Sequence, residues 1–297
     1  MKKILSYIAV IAAMMNFAGC SNGNDAADSK CDVESNTVED NYDNYTNTES
    51  QDSEENLETD EENGQTEEKE ETEESVENSD NNEEKKSDEK SKKVIVIDPG
   101  HASRSNLEKE EQTPGSGIMK IKDGGGAQGN VSGTPEYAVN MSVAMKLKEL
   151  LEVQNYTVIM TKTSNDVSLG NIERAEVGND NNASLVIRIH CDSADSENAK
   201  GASMLVPAEV GYVKDVAQVS RKYGEIIINS LVETAHMNNR GISVRDDMTG
   251  FNWSKVPVVL VEMGFMSNPE EDRLLNDESY QNKLAQGLCN GIIRCFE

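Results

Sequence analysis

Two histidines and two glutamates in this sequence have the residue types and positions of a hydrolytic metal site. The chain holds only three histidines, and two of them follow short apolar runs. One closes Val94-Ile95-Val96-Ile97-Asp98-Pro99-Gly100-His101, the other Ser184-Leu185-Val186-Ile187-Arg188-Ile189-His190. Glu262 stands inside a third such run, Val258-Val259-Leu260-Val261-Glu262-Met263-Gly264-Phe265, and Glu136 follows Thr134-Pro135 at the head of a helical pattern. Two neutral imidazoles and one carboxylate form a Zn2+-binding set that leaves a coordination position for water. A second carboxylate beside it can take that water's proton. Glu136 alone is a weak signal, because acidic residues favour the first turn of any helix. The third histidine, His236, ends another helical stretch, where a cation is favoured in any case. Cys191, next to His190, points to the opposite face of a strand and reads as a small buried residue.

These side chains need elements that carry them to one place. Apolar, β-branched runs at 94–98, 157–161, 184–190, 202–206 and 256–262 predict strands. Helical patterns lie between them at 134–153, 169–182, 212–237 and 278–295, with a short helix opening at Asn268-Pro269. Thr134 is the expected N-cap of the first, with Pro135 in its first turn. Strands alternating with helices predict an α/β sandwich around a mostly parallel, mixed sheet. In such sheets ligands gather beyond the carboxyl ends of the strands, where His101, His190 and Glu262 fall. The stretch 102–133, rich in glycine, serine and lysine, reads as a long loop that borders the site. Its Gly124-Gly125-Gly126 lacks the Gly-Lys-Ser/Thr ending of a phosphate loop.

The charge of the chain is concentrated in one segment. The net charge of -27 over 297 residues owes most to positions 21–93, which hold 27 acidic residues and 7 lysines. Such a segment cannot bury enough apolar surface to offset its chain entropy, and it reads as a disordered acidic tether. Nucleic acid is excluded as a partner by like-charge repulsion. Lys2 and Lys3 followed by an apolar run to Phe17 have the form of an export signal. Phe17-Ala18-Gly19-Cys20 resembles the bacterial lipoprotein cleavage box, with phenylalanine where leucine is usual. That resemblance implies cleavage before Cys20, lipidation of Cys20 and a place on the outer face of the membrane. The folded part is then 94–297.

Taken together, the two histidine segments, the Glu262 segment extended to Ser267-Asn268, and Asn239-Arg240-Gly241-Ile242 resemble the zinc-dependent N-acetylmuramoyl-L-alanine amidases of the type 3 family. The likeness runs in order through 94–297 and implies a phosphorylase/hydrolase-like α/β fold. It implies Zn2+ on His101, Glu136 and His190, with Glu262 catalytic. It also implies peptidoglycan as substrate, cut between N-acetylmuramic acid and L-alanine of the stem peptide. Two alternatives remain: a zinc peptidase acting within the stem peptide, and a wall-binding module without turnover. The segment between His101 and Glu136 is longer than the family's, which leaves Glu108, Glu110 and Glu111 as rivals of Glu136. Arg240 is either a surface ion pair or a clamp for a substrate carboxylate.

Overall fold

Aliphatic, β-branched runs build the central sheet of the computed structural model, which describes residues 93–297. The expected export signal, the lipidation at Cys20 and all but the last residue of the acidic segment lie outside the described residues. The sheet has six strands: β1 (Val94–Pro99), β4 (Thr157–Met160), β5 (Leu185–Asp192), β6 (Ala202–Pro207), β7 (Asn239–Arg245) and β8 (Val258–Phe265). Their order is β4-β1-β5-β8-β6-β7. The first four are parallel to one another. β6 pairs antiparallel with β8 and parallel with β7, so the sheet is mixed but mostly parallel, as expected.

Side chains alternate between the faces of a strand, and here the two faces differ. Ile95, Ile97, Ile187, Ile189, Val259 and Val261 enter the larger core. Three long helices contribute to it: α1 (Glu136–Val153), α3 (Ala217–Ala235) and α6 (Glu278–Cys295). α1 supplies Val139, Val143, Leu147 and Leu151, spaced every fourth residue along one side. The opposite face carries a smaller core of Val96, Val186, Val258, Leu260 and Phe251. Over it lie α2 (Asn171–Asp180), a 3-10 turn (Gly211–Asp215) and the short α4 (Thr249–Asn252). A final short helix, α5 (Pro269–Leu275), is capped by the Asn268 side chain, which accepts from the Glu270 and Glu271 amides. No described helix is long and apolar enough to cross a membrane.

Three expectations need correction. The stretch 102–133 is not a plain loop: β2 (Asn106–Glu111) and β3 (Met119–Asp123) pair as an antiparallel hairpin inside it. The alternation Met119-Lys120-Ile121-Lys122 was the available signal. α1 begins one residue later than expected, because a bridge between Gln128 and Pro135 keeps the chain extended as far as Pro135. Pro135 is therefore the N-cap, without a capping side chain, and Glu136 is the first helical residue. The segment 212–237 is also not one helix, since the 3-10 turn precedes α3.

Candidate metal centre

Register brings the chemistry together. Asp98 pairs with Arg188 across β1 and β5, and His190 pairs with Glu262 across β5 and β8. Partners on adjacent strands project to the same face. His101 follows β1 and turns in the left-handed region, with φ 57°. That conformation is uncommon for a residue with a side chain and needs support from its surroundings. Lys162 gives it, its buried Nζ donating to the His101 carbonyl. Glu136 reaches the same place from the start of α1.

Among the described residues, His101, Glu136 and His190 form the one group able to hold a metal, with a ligand atom from each lying within 4.8 Å of the others. Glu136 Oε2 is 3.4 Å from His101 Nε2, and Glu136 Oε1 is 3.2 Å from His190 Nδ1. Glu136 is further fixed by the Ala127, Cys191 and Asn140 N–H groups, which donate at 2.8, 3.1 and 3.0 Å. Burial opposes its ionisation. The hydrogen bond to His190 and the charges of the two imidazoles outweigh that cost and hold its pKa down to about 2. Burial pulls His190 down to about 4 and so favours the neutral ring that binds metals.

The donor set fits a metal ion on independent grounds. His101 Nδ1 lies 2.8 Å from Asp123 Oδ1. A carboxylate there selects the tautomer that protonates Nδ1 and leaves the Nε2 lone pair facing Glu136. His190 Nε2 is buried with no hydrogen-bond partner. An unpaired buried nitrogen is costly in a folded chain unless a water or an ion satisfies it. Two imidazole nitrogens and a carboxylate oxygen are donors that suit Zn2+. The glycines make room for them. A methyl group on Gly100 would collide with the His190 ring, and one on Gly126 would meet Glu136 Oε2 at 2.7 Å and His101 Cδ2 at 2.9 Å. The last glycine of the triplet thus lets the backbone approach the cluster.

Glu262 stands beside this group on the neighbouring strand. Its Oε2 is buried without a partner. Burial first, then the charges of Glu136 and Asp192, push its pKa well above the usual carboxylate range. A half-buried acid with one buried oxygen uncommitted, next to this cluster, has the setting in which proton-transfer groups are found.

The other candidates lie elsewhere. Glu108 is exposed and paired with Lys122. Glu110 accepts from the Asn171 and Ile172 amides at the start of α2, and Glu111 accepts from the Gly117 amide. His236 is an exposed residue that caps α3 in the left-handed conformation. Cys191 is buried in the larger core. Arg240 lies within β7, its guanidinium 4.8 Å from the Phe265 ring centroid, and its charge offsets part of the burial that raises the Asp192 pKa. Sequence reasoning missed Asp123, Lys162 and Asn140. Each acts through a fold-dependent contact, and only the placement of Asp123 directly before the glycine triplet hinted at a role.

Comparison with known proteins places the chain in a family. Residues 95–294 match the profile of the family described as N-acetylmuramoyl-L-alanine amidase. The germination-specific N-acetylmuramoyl-L-alanine amidase of Bacillus subtilis is 28% identical over 222 residues, 69% of this chain and 81% of that one. The protein named "Probable cell wall amidase LytH" of Staphylococcus epidermidis is 27% identical over 208 residues, 69% of this chain. The match spans 58% of that staphylococcal relative's length. Among solved structures, the CwlD amidase of Clostridioides difficile, determined in complex with the GerS lipoprotein, aligns with TM-score 0.56 and 27% identity. That alignment covers 69% of this chain and 98% of CwlD. The apo amidase Ami1 of Mycobacterium abscessus aligns with TM-score 0.63 over 69% of this chain and 99% of its own, and at 22% identity shares the fold. The chain belongs to the N-acetylmuramoyl-L-alanine amidase family.

Proposed function

We propose that this protein hydrolyses the amide between the lactyl group of N-acetylmuramic acid and L-alanine of the peptidoglycan stem peptide. The observation that carries the reading is the cluster of His101, Glu136 and His190 with Glu262 on the adjacent strand. His101, Glu136 and His190 would hold Zn2+, and Asp123 would keep His101 in the metal-binding tautomer. When bound, Zn2+ supplies a Lewis acid that polarises the scissile carbonyl and acidifies a water. Glu262 takes the proton of the attacking water and delivers it to the leaving nitrogen, and its raised pKa suits that transfer. Arg240, at the open rim of the sheet, contacts the substrate outside the cluster.

The sequence supports an exported lipoprotein. A lipid on Cys20 would hold the protein on the outer face of the membrane, with the acidic segment as a tether toward the wall. Cys20→Ala should release the protein from membranes.

The test of the activity is mass spectrometry of the products released from peptidoglycan by the full-length protein with Zn2+. Stem peptides with a free alanine amino group are expected. Cleavage between peptide residues would make the protein a zinc peptidase on the same scaffold. Binding to wall without any release would make it a non-catalytic module.

A further inference from the structure

Beside the metal-binding cluster, between the β2–β3 hairpin and the open face of the sheet, lies a cavity of about 240 Å³. His101 and His190 form one part of its wall, and Ile121, Lys122 and Asp123 of the hairpin another. Asn171, Arg174 and Arg188 close the remaining side. Three cations and one carboxylate therefore line it.

The two arginines share one carboxylate. Arg174 Nη1 and Arg188 Nε donate to the same carboxylate, that of Asp98, at 2.6 and 2.8 Å. One buried negative charge thus serves two buried guanidiniums. Arg188 Nη2 is oriented by Asn171 Oδ1 at 2.8 Å, and Asn171 is itself tied to the Lys122 carbonyl at 2.7 Å. Lys122 pairs with Glu108, whose side chain is 76% exposed and so easily replaced, and the charges of Glu173 and Glu110 also act on it. Asp123 Oδ2 is buried without a partner at the His101 end and would repel an anion placed there. An incoming negative group belongs at the other end, against Arg188, Asn171 and Lys122.

We infer that this cavity is a carboxylate subsite for the stem peptide, adjoining the scissile amide. The inference rests on the amidase reading and extends it to substrate orientation. Once the lactyl carboxyl is amidated, the sugar side of a muramoyl peptide carries no carboxylate, so the anion must belong to the leaving peptide. The peptide then lies along the hairpin and the sugar on the far side of the metal.

The experiment compares two synthetic substrates that differ in one group, N-acetylmuramoyl-L-alanyl-D-glutamate with its α-carboxyl free or amidated. The full-length protein should show kcat/KM at least about 10-fold higher for the free carboxylate, the size expected of a charge-assisted hydrogen bond. Arg188→Ser should bring the two substrates within about 2-fold, while Arg221→Ser, at an exposed position of α3, should keep the preference. Lys122→Gln, a change at a partly exposed position, should weaken the preference and covers the case in which Arg188→Ser does not fold. Equal rates for the two substrates, or a preference unchanged in Arg188→Ser, would overturn the subsite. If neither substrate is cut, the amidase reading fails, and calorimetric binding of L-alanyl-D-glutamate and its α-amide decides the subsite by itself. Tighter binding of the free acid, lost in Lys122→Gln or Arg188→Ser, supports it; equal binding contradicts it.

Discussion

The two faces of the central sheet are made by the same strands and have opposite characters. On the closed face the inward residues are apolar, as in Ile95 and Ile97, Ile187 and Ile189, Val259 and Val261. On the other face β1, β5 and β8 begin apolar and become polar toward their carboxyl ends: Val96 then Asp98, Val186 then Arg188 and His190, Val258 and Leu260 then Glu262. Three long helices cover the first face, and short elements cover only the apolar part of the second. The difference teaches where stability and chemistry are separated. Residues of the closed face hold the sheet, and every second residue of the same strands carries the site.

The largest effect that can test this division is expected from His190→Ala. It should abolish amide hydrolysis and bound zinc together, measured by turnover and by metal analysis of the purified protein. Zinc retained at one ion per chain would place the site elsewhere.

Asp98→Asn probes the floor of the open face. Burial would raise the Asp98 pKa, but Arg174, Arg188 and the Thr161 hydroxyl hold it far below the usual carboxylate range. A carboxylate with a depressed folded-state pKa contributes stability above its unfolded value of about 3.9, and that contribution is lost as pH falls through the folded value. Removing the charge from a buried pair costs about 3–5 kcal/mol. Denaturant unfolding should show that loss at neutral pH, with the gap to the parent protein narrowing below about pH 4. A gap that widens in acid would contradict the arrangement.

Leu147→Ala probes the closed face. Leu147 is fully buried in the larger core, and such truncations cost about 2–5 kcal/mol. The folded variant should still bind one zinc with unchanged affinity, as read by competition with a chelator. Weakened zinc binding would show that the faces are not separable.

The smallest effect is expected at the hairpin. Asp123→Asn keeps the shape but loses the charge beside His101 Nδ1, and loss of such a partner weakens metal affinity by about 10–100-fold. The same chelator competition measures it, and unchanged affinity would remove Asp123 from the account.

How far the sequence shows all this follows from range. The strands at 94–98, 184–190 and 256–262 were legible because burial on both faces leaves near-continuous aliphatic runs, and His190 and Glu262 fall on them. Glu136 was legible as the head of a helix, but its choice over Glu108, Glu110 and Glu111 depended on which residues the hairpin carries away from the cluster. The hairpin left only the short alternation at 119–122 as a signal, because Leu107, Ile118, Met119 and Ile121 are largely exposed and mark no buried face. Asp123 and Lys162 act on His101 across 22 and 61 positions of chain. No local periodicity encodes a contact of that kind.

The most direct test of the central claim is the zinc content of Glu262→Ala, measured on the same preparation as its turnover of peptidoglycan. If Glu262 moves protons and does not bind the metal, the variant keeps one zinc per chain and releases no stem peptide. Loss of zinc, or hydrolysis that continues at the parent rate, would contradict the account.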